Sequence, residues 1–148
     1  ELVIPTFCFN DADTWPTNSL TLYATGNIGR GYGSLTGDLI MGNYDLLNNS
    51  NTPGDMYAPT SYAWYGAIQY HFLPNLYSTA SFGQERLLPK YNVSGDTYKY
   101  GLYSELNIFW DITKRFEVAA EVNFGKRENF NGQSNWARRA CVMARFSF

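Results

Sequence analysis

Trp136-Ala137-Arg138-Arg139-Ala140-Cys141-Val142-Met143-Ala144-Arg145-Phe146-Ser147-Phe148 alternates without a break. Trp136, Arg138, Ala140, Val142, Ala144, Phe146 and Phe148 share one parity, and Arg139, Cys141, Met143, Arg145 and Ser147 the other. Successive side chains of a β-strand point to opposite faces, so this stretch has one largely apolar face and one polar face. An aromatic last residue behind such a run suits a sheet that touches lipid on one side and water on the other.

The same parity holds upstream. Apolar residues fall on even positions: Leu20, Leu22, Ala24 and Ile28; Tyr62, Trp64, Ile68, Tyr70 and Phe72; Leu76, Ala80 and Phe82. They continue with Tyr98, Tyr100, Leu102, Leu106, Ile108 and Trp110, then Phe116, Val118, Ala120, Val122 and Phe124. Odd positions carry Gln69, His71, Glu85, Lys99, Glu105, Asn107, Glu117, Glu121, Asn123 and Arg127. Alternation over segments of about ten residues is what a tilted strand needs to cross a bilayer. The even face is expected toward lipid and the odd face toward a lumen.

Composition agrees. Aromatics make up 18 % of the chain although its mean hydropathy is −0.33, and alternation reconciles the two. No stretch approaches the roughly 18 consecutive apolar residues of a spanning helix. A net charge of −2 without a basic run argues against nucleic acid as a partner.

Connections alternate in length. Short ones fall at Phe72–Asn75 and Asp111–Arg115, with Asp11–Asn18 somewhat longer; long ones fall at Gly29–Thr60, Arg86–Asp96 and Glu128–Asn135. Outer-membrane barrels have short periplasmic turns and long outer loops, and a carboxy-terminal strand ending in the periplasm puts every short turn on that side. The fold class expected is all-β: an antiparallel transmembrane β-barrel in a bacterial outer membrane, with residues 1–148 as a single domain. About seven strands are counted, the weakest being Glu1–Asn10, where Pro5 interrupts the pattern. Bacterial barrels have an even number of at least about eight strands, so the chain reads as the carboxy-terminal portion of a larger barrel. The alternative is a complete eight-stranded barrel with a strand hidden in Leu35–Tyr44.

From Tyr62 onward the chain resembles the DcaP-like porins. The resemblance is carried by Trp64-Tyr65-Gly66, Gln69-Tyr70-His71-Phe72 with Pro74-Asn75, and Gly95-Asp96-Thr97-Tyr98-Lys99-Tyr100-Gly101. It runs on through Asn107-Ile108-Phe109-Trp110-Asp111-Ile112-Thr113, the Gly125–Gly132 segment, Asn135, Arg138, Arg139 and Phe146-Ser147-Phe148. It implies a trimeric outer-membrane channel of Gram-negative bacteria with roughly sixteen strands, no cofactor, and passive uptake of small anionic solutes. Phe148, Phe146, Ala144 and Val142 also resemble the sorting signal read by the barrel-assembly machinery, a transient partner.

Hairpin geometry extends the lumen map, because opposed residues have nearly constant index sums. With turns centred near Thr113 and Gln133, Lys99 is expected opposite Arg127 and Arg127 opposite Arg139, an outer cationic tier. Glu105, Glu121 and Arg145 then form an inner tier of mixed charge, with Asn107 and Asn123 among them. Like charges facing each other cost up to roughly 1 kcal/mol, so the cationic tier needs a reason. Rings of Arg and Lys attract anions in pores. Alternatively these cations pair with acids such as Asp38, Asp45 or Asp55 in the long loop, or with strands beyond this chain. Gly29–Thr60 itself reads equally as a constriction folded into the pore or as an exposed outer loop.

Other signals carry less. His71, the single histidine, sits at a strand end beside a Pro-Asn turn, which handicaps a catalytic triad, and no enzyme is expected. Cys8 and Cys141 come from the first and last segments and are expected as free thiols. With one histidine they make a zinc site improbable. Gly29-Arg30-Gly31-Tyr32-Gly33 lacks the lysine and helix of a phosphate loop, and the Asn92-Val93-Ser94 sequon marks a polar loop. Two further readings stand beside the channel: a plugged eight-stranded barrel closed by pairing among Glu105, Glu121 and Arg145, and a soluble lipocalin-like barrel with its apolar face inward.

Overall fold

The computed structural model describes residues 2–7, 17–31, 33 and 44–148. Cys8, Asp38 and nearly all of the Leu35–Tyr44 stretch lie outside them. Nine strands follow in order: β1 (Leu2–Phe7), β2 (Ser19–Arg30), β3 (Leu47–Asn48), β4 (Met56–Tyr57), β5 (Thr60–Leu73), β6 (Leu76–Leu88), β7 (Tyr98–Thr113), β8 (Phe116–Asn129) and β9 (Ser134–Phe146). Seven of them form one antiparallel sheet in the order β1-β2-β5-β6-β7-β8-β9, each long strand beside its predecessor. The strand count read from parity is therefore the count of the sheet. Among the described residues the sheet is open, with β1 and β9 at its edges.

β2 and β5 pair without interruption from Ser19 opposite His71 to Arg30 opposite Thr60. β2 and β5 are therefore direct neighbours in the sheet. The intervening segment supplies the small β3–β4 ribbon, closed where Asn49 Nδ2 donates to Asp55 Oδ2 at 2.9 Å. Parity could not foresee a ribbon with two residues in each strand.

The short turns follow from their residues. Leu73 pairs with Leu76, leaving Pro74 and Asn75 as the turn, and Asn75 Nδ2 donates to Asp111 O at 3.0 Å, tying this turn to the end of β7. Thr113 Oγ1 accepts from the backbone N–H groups of Arg115 (3.2 Å) and Phe116 (3.0 Å), closing the β7–β8 turn. Asn18, in the turn just before β2, takes φ 57°, a conformation that asparagine tolerates better than most residues.

The sheet is curled with its polar face inward. Leu106 is 53 % exposed whereas its neighbour Asn107 is 9 %; Val122 is 38 % and Asn123 6 %. A soluble barrel has the opposite distribution, so the lipocalin-like reading is overturned: its apolar side chains would be the covered ones. On the outer face, Tyr70, Phe72, Trp110 and Phe146 lie toward the short turns, and Trp64, Phe82, Phe124 and Trp136 toward the long loops. Ile68, Leu106, Ile108 and Val142 lie between. Two aromatic girdles around an aliphatic band are the pattern that the outer surface of transmembrane barrels carries.

One register row of the inner face alternates bulk: Tyr65, Gly83, Tyr103 and Gly125 stand opposite one another across β5–β8. A Cβ on Gly83 would lie 2.9 Å from both Trp64 O and Tyr65 Cβ, so the strand can pass there only without a side chain.

Arginine at position 106 tests this sidedness. Leu106→Arg is expected to cost about 2–4 kcal/mol, the depth-dependent penalty for a cation facing mid-bilayer lipid, read as the shift in denaturant unfolding in lipid vesicles. An unchanged midpoint would mean that Leu106 does not face hydrocarbon.

Candidate functional site

The inward face is a ladder of polar rows. From the long-loop end downward, Asn27, Ala63, Glu85, Gly101, Arg127 and Asn135 stand opposite one another across β2–β9. Two rows below come Ser81, Glu105, Asn123 and Arg139, then Thr79, Asn107, Glu121 and Cys141. The lowest brings Asp111, Glu117 and Arg145 together.

These side chains bond along and across the rows. The Tyr103 hydroxyl lies between Glu105 Oε2 and Asn123 Oδ1 and gives its proton to one of them. Asn107 Nδ2 donates to Glu105 Oε1 at 2.7 Å, while Asn107 Oδ1 accepts from Thr79 N at 3.1 Å. Asn123 Nδ2 donates to Glu121 Oε1, which also receives Arg139 Nη2 at 3.3 Å. Below them Arg145 Nη2 meets Glu117 Oε2 at 3.0 Å. Tyr103, Glu105, Asn107, Glu117, Glu121, Asn123, Arg139 and Arg145 each have a partner, and a network so satisfied holds its side chains in fixed positions.

The expected tiers are rearranged. Glu105 faces Asn123 rather than Glu121; Arg127 faces Asn135 rather than Arg139; Arg145 faces Glu117 rather than Glu121. The β7–β8 register differs by one same-face step because β7 runs on to Thr113 before turning. The β8–β9 register differs by two steps because β9 starts at Ser134. Internal plugging by Glu105, Glu121 and Arg145 loses its pairing, since Arg145 belongs to Glu117.

Lys99 leaves the arc for a different reason. Tyr98 opposes Asn129 and Tyr100 opposes Glu128, so Lys99 is the extra residue of a β-bulge. Beyond it parity reverses. Tyr98, even-numbered, turns inward, with its hydroxyl donating to Glu85 O at 3.1 Å and Arg127 Cζ 5.6 Å from its ring centre. Lys99 Nζ reaches Glu128 Oε1 at 2.9 Å. The cations thus find acids in the strands themselves, while Asp55 is held by Asn49 in the ribbon. Arg127 differs, its Nε donating to Asn129 Oδ1 at 3.1 Å.

Part of the long loop lies over this wall. Tyr44 and Leu47 pack on Leu87 and Tyr98, both almost fully buried at the outer end of the inner face, and the Tyr44 hydroxyl accepts from Tyr98 N at 3.2 Å. Tyr44 and Leu47 of the segment therefore lie against the inner face. At the opposite end His71, 7 % exposed, stacks on Tyr77 at 4.9 Å, and Tyr77 stacks on Phe109 at 5.0 Å. Tyr23 donates to Gln69 Oε1 at 2.9 Å, and the Gln69 amide donates to His71 Nε2 at 3.3 Å. This ladder borders a recess of about 660 Å³ shared with Asp111, Lys114, Glu117 and Arg145. Parity indicated the face of His71 but not its stacking, which depends on register. Cys141 is free and exposed opposite Glu121. Val142, Ala144, Phe146 and Phe148 are exposed at the end of the chain. Among the described residues no group of His, Cys, Asp or Glu is arranged to hold a metal ion.

No protein-family model matches the chain, and no curated protein matches it. Among solved structures, the crystal structure of the outer membrane channel DcaP of Acinetobacter baumannii is similar, with a TM-score of 0.71 at 21 % identity. The similarity covers 95 % of this chain and 38 % of that one, so this chain has the fold of a porin barrel segment.

The two arginine pairs are expected to differ in worth. Glu117 is more deeply buried than Glu121, so Arg145→Gln strands a covered carboxylate and should cost about 1–2 kcal/mol, between an exposed pair and a wholly buried one. Arg139→Gln should cost less than about 1 kcal/mol. Chemical denaturation of both variants in the same lipid checks the order, and equal losses would contradict it.

Proposed function

We infer that this chain forms part of the wall of a water-filled channel in the bacterial outer membrane, through which small solutes diffuse passively. The observation that carries the reading is the inverted sidedness: Glu105, Asn107, Glu121 and Asn123 line the inner face while Leu106, Ile108 and Val122 cover the outer one. Charged side chains on a curled sheet are inexpensive when water fills the concavity, and a barrel of about sixteen strands leaves such an aqueous space where eight would not.

Preference for small anionic solutes is assigned chiefly to Arg127, whose guanidinium rests on Asn129 and Tyr98 with no carboxylate in ion-pair range among the described residues. Arg139 and Arg145 are each offset by a glutamate, and Lys99 belongs to the outer cluster. Glu105, Glu121, Asn107, Asn123 and Arg145 then form a mixed, hydrogen-bonded lining through which solutes pass rather than lodge. A weak cation preference is the competing reading, favoured by Glu105, which is held by Tyr103 and Asn107 without a cation. Homotrimeric assembly rests on the resemblance, as does recognition of Val142, Ala144, Phe146 and Phe148 by the barrel-assembly machinery.

In planar bilayers the native protein is expected to open in ohmic conductance steps. A charged, water-soluble thiol reagent should modify Cys141 and reduce them, while Val142→Cys in a Cys141→Ser background should stay unreactive. In a salt gradient, Arg127→Gln should move the reversal potential toward cation preference and Glu105→Gln should move it the other way. A reversal potential indifferent to Arg127 would remove the anion assignment. Absence of conductance, with Cys141 unreactive, would remove the channel.

A further inference from the structure

At the long-loop end of the outer face, the apolar band gives way to charged residues that the lumen does not use. Tyr62, Arg86, Tyr100 and Glu128 form one register row, and Trp64, Gln84, Leu102, Lys126 and Trp136 the next. Lys126 Nζ donates to the Tyr100 hydroxyl at 2.9 Å and to Glu128 Oε2 at 3.0 Å. It stands 5.2 Å from the Tyr100 ring centre and 6.0 Å from that of Trp136. The Tyr100 hydroxyl donates to Glu128 Oε2 at 2.6 Å. Through the bulge, Lys99 brings a second ammonium to the same carboxylate. Arg86, directly opposite Tyr100, has its Nε covered and without a hydrogen-bond partner. Arg138 follows Trp136 at the next outward position of β9.

Lys99 and Lys126 thus share a single carboxylate, Glu128, while Arg86 and Arg138 stand in neighbouring positions on a face that is mostly apolar. Cations facing lipid are tolerated near the membrane interfaces and not at mid-depth, which fixes the level of the cluster at the headgroups. The excess positive charge, two ammonium groups on one carboxylate with two arginines beside them, calls for an anion there. The anion available at that depth beside a hydrocarbon surface is a lipid phosphate, and basic clusters at headgroup level bind such groups.

We propose that this cluster is a docking site for the phosphate of an outer-leaflet lipid. Lys126 donates to the phosphate oxygens, Arg86, Lys99 and Arg138 flank them with positive charge, and the rings of Tyr100 and Trp136 pack against the adjoining headgroup. The proposal rests on the outward face being lipid-facing and is independent of which solute the lumen admits.

Native mass spectrometry of the detergent-solubilised native protein tests it, with lipid A, its dephosphorylated form and inorganic phosphate as separate probes. Lipid A is expected to be retained, and dephosphorylated lipid A at least about tenfold less. The double variant Arg86→Gln/Lys126→Gln should lose roughly tenfold or more in lipid A retention, in line with the contribution of each basic residue near an anionic surface. Arg127→Gln, on the inner face, should bind lipid A as the wild type does. Equal retention of the two lipids by the wild type overturns the proposal and needs no variant to fold. So does equally tight binding of inorganic phosphate, which would make this a site for soluble anions. Breakdown of an oligomer in the double variant, with no lipid bound to the wild type, also overturns it by assigning the face to a second copy. Bilayer conductance reports separately on the channel: if it is absent, the outer-membrane reading fails, whereas conductance without lipid retention ends only this proposal.

Discussion

In hydrocarbon there is no water to satisfy a backbone N–H or C=O, so each strand that crosses a membrane must be hydrogen-bonded by its neighbours. The rest of this structure follows from that requirement. It gives β2 and β5–β8 long, nearly continuous ladders and keeps consecutive strands side by side. It also imposes a period of two on the side chains, because a paired strand can only alternate. The backbone is committed before any side chain is chosen, and the side chains then divide between two solvents.

That division was legible from the amino acids. A two-fold period survives register error: sliding a strand by two positions moves every residue to a new partner but keeps it on its own face. This is why Glu105, Asn107, Glu121 and Asn123 lie inward as their numbers indicated although none of the expected tiers formed. Pairings were harder to read. They depend on where each turn closes, and that is decided by details such as the Thr113 hydroxyl capping two backbone N–H groups. Lys99 and Tyr98 defeated parity itself, since an inserted residue exchanges the two faces and leaves no mark in composition. The inward fold of Tyr44 and Leu47 was equally hidden, because the aromatics that anchor them come from strands distant in the chain.

In the middle of the inner wall most charges are paired, Glu105 being held by neutral groups. Arg139 and Arg145 sit against Glu121 and Glu117, and the amides of Asn107 and Asn123 each donate to the acid two positions away on their own strand, Glu105 and Glu121. Such a surface presents alternating dipoles to passing water, with its side chains held by the wall and not swinging into the opening. Neighbouring bulky and vacant positions, Tyr65 and Tyr103 beside Gly83 and Gly125, shape the same surface sterically. At the long-loop end Arg127 rests on Tyr98, against which Tyr44 of the long loop also packs.

The bulge at Lys99 also bears on how such a wall can change over time. Because its effect is confined to the few residues beyond it, a single-codon insertion or deletion near the end of a strand can exchange inside for outside at the mouth while leaving the trunk below intact. Entrance chemistry and membrane-facing chemistry are thereby linked in a heritable unit one residue long. A lineage could revise the end of such a sheet without rebuilding the strands below it.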